Sequence, residues 1–133
     1  MTWLRSLVLA ISLAIGLGSA SASASARWVD YSPENFARAQ ETGQTMLVDV
    51  TAKWCTTCKA QHPILEELAG DERLKDVMFV RVDFDTHKDF LQEHQIPRQS
   101  TILVFDGKAE IDRSVAETNR DRLRQFVFAA VEK

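Results

Sequence analysis

Between Thr45 and Ala69 the chain passes from a strand signal straight into a helix signal, and that junction limits the folds open to it. Thr45–Thr51 reads TMLVDVT, mostly apolar, partly β-branched and without alternation, which is the pattern of a strand covered on both faces. Helical spacing runs from Cys55 to about Ala69, with Ile64, Leu65 and Leu68 close together on the helix surface and Gly70 to stop it. Pro63 falls inside and is expected to kink that helix. A strand buried on both sides needs helices above and below it, so this unit points to an α/β domain.

The rest of the chain repeats the unit. Trp28–Tyr31 reads as a short strand, and Ser32-Pro33 as a cap followed by proline in the first helical turn. The helix over 33–41 is expected to bury Phe36, Ala37 and Gln40 and to end at Gly43. Val77–Phe84 and Thr101–Phe105 are further buried-type strands, separated by a short polar helix over 87–94 whose His87 and His94 read as surface residues. Asp106-Gly107 is a hairpin turn signal, Lys108–Arg113 its returning strand, and Thr118 the cap of a last helix carrying Leu123, Phe126, Val127, Ala130 and Val131 on one face. The order is βαβαβαββα. Strands joined through helices are expected to pair in parallel and the hairpin to add an antiparallel pair. The result is a central mixed sheet of about four to five strands with helices on both faces.

Residues 1–26 stand apart. They hold no Asp or Glu, one basic residue (Arg5), a nearly unbroken apolar run over Leu7–Leu17 and a Ser-Ala alternation ending in Ala24-Ser25-Ala26. A positive start, a short apolar core and small residues at the end describe a secretory signal peptide. Cleavage after Ala26 leaves a domain at 27–133, with Ala20 and Ala22 as other usable sites. The apolar run is short of the ~20 residues that span a bilayer, which speaks against an uncleaved anchor. The expected location is therefore periplasmic or secreted, where disulfides persist. A net charge of −3 argues against a nucleic-acid partner. Two cysteines are too few for a disulfide scaffold or a four-cysteine zinc site.

Those two cysteines, Cys55 and Cys58, fall at the strand–helix junction. Free N–H groups and the positive end of the helix dipole stabilise an anion there, so Cys55 is read as the attacking thiolate and Cys58, one turn in, as the resolving thiol. Their spacing lets the sulfurs close a small disulfide. Cys55 would form a mixed disulfide with a partner and Cys58 would release it. Covalent haem attachment needs His directly after the second cysteine, and Lys59 stands there. An inert structural disulfide is the bland alternative, but so small a loop constrains the unfolded chain little.

The stretch Leu47-Val48-Asp49 through Trp54-Cys55-Thr56-Thr57-Cys58-Lys59, with Pro63 inside the helix and Thr101–Gly107 beyond, resembles the thioredoxin family over about residues 28–132. Among its members the chain is most similar to exported thioredoxin-like proteins, including the C-terminal domain of DsbD-type transmembrane reductases. The resemblance implies a thioredoxin-like fold. It also implies that Asp49 handles the proton of the resolving cysteine, and a charge inside TMLVDVT does demand a reason, because a buried carboxylate is a poised base. Trp54 resembles the family's lid and contact for partner chains. Lys53 and Lys59 flank the pair as thiolate-favouring or simply solvated cations. One position departs from the family. Its cis-proline before the third strand is replaced by Ser100 within Gln99-Ser100-Thr101, the loop that would pair with substrate, while Pro97 lies three residues early and would serve only if the loop slid. The Gln99–Ser100 bond is expected to be trans, and the Ser100 hydroxyl is placed to hydrogen-bond a thiolate.

The function these residues imply is an exported thiol–disulfide oxidoreductase. It would act on protein cysteines through Cys55 and Cys58 in the reducing direction, as a monomer without a cofactor, fed by a membrane electron-donor protein because its compartment is kept oxidised. Two alternatives stand beside it. Cys55, Cys58 and His62, four residues after Cys58, form a possible ligand set for Cu(I) or Zn(II), and the domain could be a non-catalytic adaptor.

Overall fold

The computed structural model describes residues 28–133; the leader assigned to 1–26 and its cleavage site lie outside the described residues. The elements are β1 (Trp28–Asp30), α1 (Pro33–Glu41), β2 (Thr45–Thr51), α2 (Thr56–Ala69), β3 (Met78–Asp83), α3 (Lys88–Glu93), β4 (Thr101–Asp106), β5 (Ala109–Val115) and α4 (Arg120–Val131), with one 3-10 turn at Glu72–Leu74. Five strands form one sheet in the order β1-β3-β2-β4-β5. β1 and β2 both run parallel to β3, while β4 is antiparallel to β2 and β5 to β4. Among the described residues no helix is long and apolar enough to cross a membrane.

Strand parity sorts the core. Met46, Val48 and Val50 of β2 join Val80, Val82, Leu103 and Phe105 on one face, against Phe36 and Ala39 of α1 and Phe90 and Leu91 of α3. Leu47, Phe79 and Ile102 join Ile64, Leu65 and Leu68 of α2 and Leu123 and Val127 of α4 on the other. Asp49 and Thr51 share the parity of Leu47, so β2 aims them at the helix that carries the cysteines.

The expectation of parallel pairing across every helical connection fails at β4. A parallel crossover must carry the chain back along a full strand, about 20 Å for six residues. α3, six residues long, rises only about 9 Å. β4 starts from the end of the sheet where β3 stops, and its first residue, Thr101, pairs with Val50 near the end of β2. This entry brings Ser100 beside the cysteines.

Four local expectations shift as well. α1 buries Ala39 rather than Ala37, because Ala37 is rotated about 100° from Phe36 and leaves the face that Phe36 and Ala39 define. Asn119, not Thr118, caps α4 through its side chain to the Arg122 N–H. The hairpin turn is Gly107-Lys108, since Asp106 still pairs with Ala109, and Gly107 takes a φ of +54°. Neither histidine of the α3 region is a plain surface residue. Burying Phe90 and Leu91 draws both ends of this short helix inward. His94 stacks on Phe90 at 4.3 Å between ring centroids and also meets Phe36 and Phe105. Burial pushes its pKa down, and its Nε2 has no hydrogen-bond partner. His87 precedes α3 and accepts the Asp83 N–H on Nδ1 at 3.1 Å.

Candidate active site

Cys55 is the cap of α2 rather than its first helical residue. Its extended backbone (φ −80°, ψ 110°) turns the side chain back over the first turn, where the sulfur accepts the Cys58 N–H at 3.0 Å. That N–H is one of the orphan donors of a helix start, and together with the helix dipole it favours negative charge on Cys55 Sγ once the pair is reduced. The two cysteines are joined in a disulfide with Cα atoms 5.3 Å apart. Both are buried, Cys58 completely, in a small cluster with Ala52 against Phe84.

The Gln99–Thr101 loop closes over the sulfurs. The Ser100 hydroxyl lies 3.4 Å from Cys55 Sγ and 3.6 Å from Cys58 Sγ. Ser100 is completely buried with φ +63°, a left-handed backbone that costs a non-glycine residue roughly 1–2 kcal/mol. The surroundings over-determine it. Its N–H donates to the Val50 carbonyl at 2.8 Å, and its carbonyl accepts the Ala116 N–H at 2.9 Å and Gln61 Nε2 at 3.2 Å. No cis peptide occurs among the described residues, Pro97 is exposed, and Ser100 is the loop residue that meets the sulfurs, so the loop has not slid. Thr101 is buried and its hydroxyl donates to the Arg98 carbonyl at 2.7 Å, while Gln99 is half-buried.

Asp49 is completely buried, and neither carboxylate oxygen has a hydrogen-bond partner. Desolvation raises its pKa to about 7; the Arg81 guanidinium opposes the rise and Glu66 adds to it. His62, one turn after Cys58, turns toward β2 instead of the sulfurs. Its Nε2 lies 3.1 Å from Thr51 Oγ1 and 3.7 Å from Asp49 Oδ2. Burial lowers the imidazole pKa, so near neutrality the ring is uncharged and the approach to Asp49 is not an ion pair. The ligand set Cys55, Cys58 and His62 is therefore not assembled. Among the described residues no group of three or more His, Cys, Asp or Glu is placed to hold a metal.

Trp54 is 58% exposed beside the pair, its indole N–H held by Asp85 Oδ2 at 2.8 Å, which leaves its face open to a partner. Lys53 and Lys59 are exposed. The sequence reading passes over Gln61, which is completely buried and ties α2 to the Ser100 and Glu117 carbonyls through one amide nitrogen. The signal was present: Cys58, Gln61, Leu65 and Leu68 form one buried stripe, and a glutamine on such a stripe needs partners. Asp85 and Arg81 carried no comparable signal, since their roles depend on which strand lies beside which.

Comparison with known proteins agrees with this geometry. The thioredoxin family model matches residues 28–129. The chain is 32% identical over 96 residues to a thioredoxin of Chlamydia trachomatis, covering 72% of this chain and 91% of that one. It is 34% identical over 95 residues to thioredoxin H-type 1 of Nicotiana tabacum, covering 71% and 72%. The solved structure of Trxlp from Edwardsiella tarda superposes with a TM-score of 0.72 at 36% identity, covering 74% of this chain and 96% of that one. With the match spanning nearly all the described residues and a cysteine pair set at a helix start where thiolate attack is favoured, the chain belongs to the thioredoxin family and is a thiol–disulfide oxidoreductase.

Proposed function

We propose that this oxidoreductase is exported by a cleaved leader and works there as a monomeric reductant of protein disulfides, recharged by a membrane electron donor. The observation that carries the reading is Asp49: a completely buried carboxyl with unpartnered oxygens and a pKa near 7, on the strand face that looks toward α2. Such a group is poised to take a proton near neutrality. The Cys55 thiolate attacks a partner disulfide, forms a mixed disulfide and expels one partner thiolate. Asp49 takes the proton of Cys58, whose thiolate attacks Cys55 Sγ and expels the second partner sulfur. Two electrons pass to the partner and the chain is left with the disulfide seen here. Exposed Trp54 and the Gln99-Ser100-Thr101 loop flank the path by which a partner would reach Cys55.

Equilibration in thiol/disulfide buffers tests the direction. A Cys55–Cys58 potential near ~−250 mV or below supports the reductant, and one near ~−120 mV makes the chain a disulfide donor instead. Cys55→Ala should abolish exchange in either case. Export is tested by expressing the full chain in a bacterium and weighing the product: a periplasmic species beginning at Arg27 is expected, and an unprocessed cytoplasmic chain overturns that part.

A further inference from the structure

The mechanism above leaves Asp49 with a proton and no direct way to lose it. Its oxygens are completely buried and make no hydrogen bond. His62 touches both sides of this problem. Its Nε2 stands 3.7 Å from Asp49 Oδ2, while its side chain is 39% exposed and lines an open cleft of about 530 Å³, with Tyr31, Thr51, Arg81 and His87 on the walls. The ring is i+4 from Cys58, so cysteine and imidazole lie one turn apart on the same side of α2. We propose that His62 is the proton relay of this oxidoreductase, a positioning residue that carries the proton of Cys58 from buried Asp49 to the water of the cleft. The proposal rests on Asp49 acting as the base for Cys58.

The steps balance. Cys58 Sγ–H gives its proton to the Asp49 carboxylate, and the thiolate forms the Cys55–Cys58 bond as the partner sulfur leaves. Thr51 Oγ1, 3.1 Å from Nε2, donates to that nitrogen when the neutral ring carries its proton on Nδ1. Closing the 3.7 Å gap to a hydrogen bond of about 2.8 Å needs a shift of only about 1 Å. As the Thr51 hydroxyl turns from donor to acceptor, Asp49 passes its proton to Nε2, the Nδ1 proton leaves to water, and Asp49 is again a carboxylate; proton exchange with the water of the cleft returns the neutral ring to its Nδ1–H form before the next turnover. The charged groups acting on the ring are Arg81 from β3, which disfavours its protonation, and Glu66 from its own helix, which favours it. Asp30, Lys53, Asp83 and His87 face it across the cleft. Burial lowers the His62 pKa and raises that of Asp49 to about 7, so near neutrality a carboxyl able to hold a proton faces an imidazole that is uncharged.

The test is multiple-turnover reduction of insulin by the full chain with dithiothreitol as electron source, from pH 5.5 to 9, for wild type, His62→Ala and His62→Gln. Glutamine keeps a hydrogen bond for Thr51 but cannot carry a proton. Both variants should lose about tenfold in turnover near pH 7. Added imidazole should restore His62→Ala and leave wild type unchanged. Variants that turn over like wild type, or that are slow and ignore imidazole, overturn the relay. If wild type itself fails to reduce insulin, the reductant reading falls, and NMR exchange of the Asp49 carboxyl proton decides the relay alone. Slower exchange in His62→Gln than in wild type supports it, and equal rates overturn it.

Discussion

The two faces of the sheet each bury a titratable side chain, and they treat it in opposite ways. Beneath α1 and α3, His94 is enclosed by Phe36, Phe90 and Phe105 and is held in its neutral form by the packing. Beneath α2, Asp49 lies completely buried on β2 but is left without a hydrogen bond, with a half-exposed imidazole against it. The first face spends its burial on ring contacts, each worth roughly 0.5–1.5 kcal/mol beyond area. The second keeps a carboxyl whose ionised form is destabilised, on the strand face that looks toward the helix carrying the cysteines. Stability and reactivity are thus divided between faces of one sheet, and variants can separate them.

The largest effect is expected from the aromatic face. Phe90 is completely buried and meets Tyr31, Phe36 and His94. Phe90→Ala should cost about 3–5 kcal/mol in denaturant unfolding. None of the ring contacts of Phe90 is with a cysteine, Ser100 or Asp49, so the Cys55–Cys58 potential should stay that of wild type. A shifted potential in a folded Phe90→Ala protein would break the division of labour.

Asp49 comes next. Its carboxyl ordinarily titrates at 3.8 and is raised to about 7 in the folded chain. Between those values the folded state holds more protons than the unfolded one, so stability falls as pH rises from about 4 to 7 and stays lowered above. The fall should amount to a few kcal/mol, on the order set by the shift. Asp49→Asn should flatten this limb in oxidised protein while slowing exchange with partner disulfides by about tenfold or more. A variant whose stability profile keeps the wild-type slope would show that Asp49 is not the group responsible.

These two side chains also mark what the sequence could and could not disclose. Asp49 was legible because an acidic residue in TMLVDVT violates the local pattern, and Cys55 because it sits where a strand signal meets a helix signal. The order of the elements was legible for the same reason: period and capping are local. His94 was misread because its neighbours Phe36 and Phe105 are far away in sequence, and a polar-looking helix gave no sign of them. The antiparallel entry of β4 goes with a connection whose one short helix does not carry the chain back along the sheet, a case that a rule about helical connections does not contain. His62 was read as sharing the helix face of Cys58, one turn further along α2. Its true neighbours, Thr51 and Asp49, required strand parity to be read together with helix phase.

The smallest effect sharpens the comparison most, because its sign is reversed. Burial lowers the pKa of His94, so the folded chain resists protonation of that ring while the unfolded chain accepts a proton near 6.5. Stability from this group is present above pH 6.5 and is lost as pH falls through 6.5 toward the folded value. Over the same range Asp49 makes the folded chain more stable as pH falls. The acid limb of wild type is therefore a difference between two terms, with His62 adding on the side of His94. His94→Leu removes one opposing term and the unpartnered Nε2 with it. Acidification from pH 7 to 5 should then stabilise His94→Leu more than it stabilises wild type, by less than Asp49→Asn changes the slope, because the ring is only half-buried and water screens much of its charge. The double variant Asp49→Asn, His94→Leu should retain only the shallow histidine limb of His62. If His94→Leu instead leaves the slope between pH 5 and 7 untouched, the aromatic face packs that ring without regard to its charge, and the difference between the two faces lies in Asp49 alone.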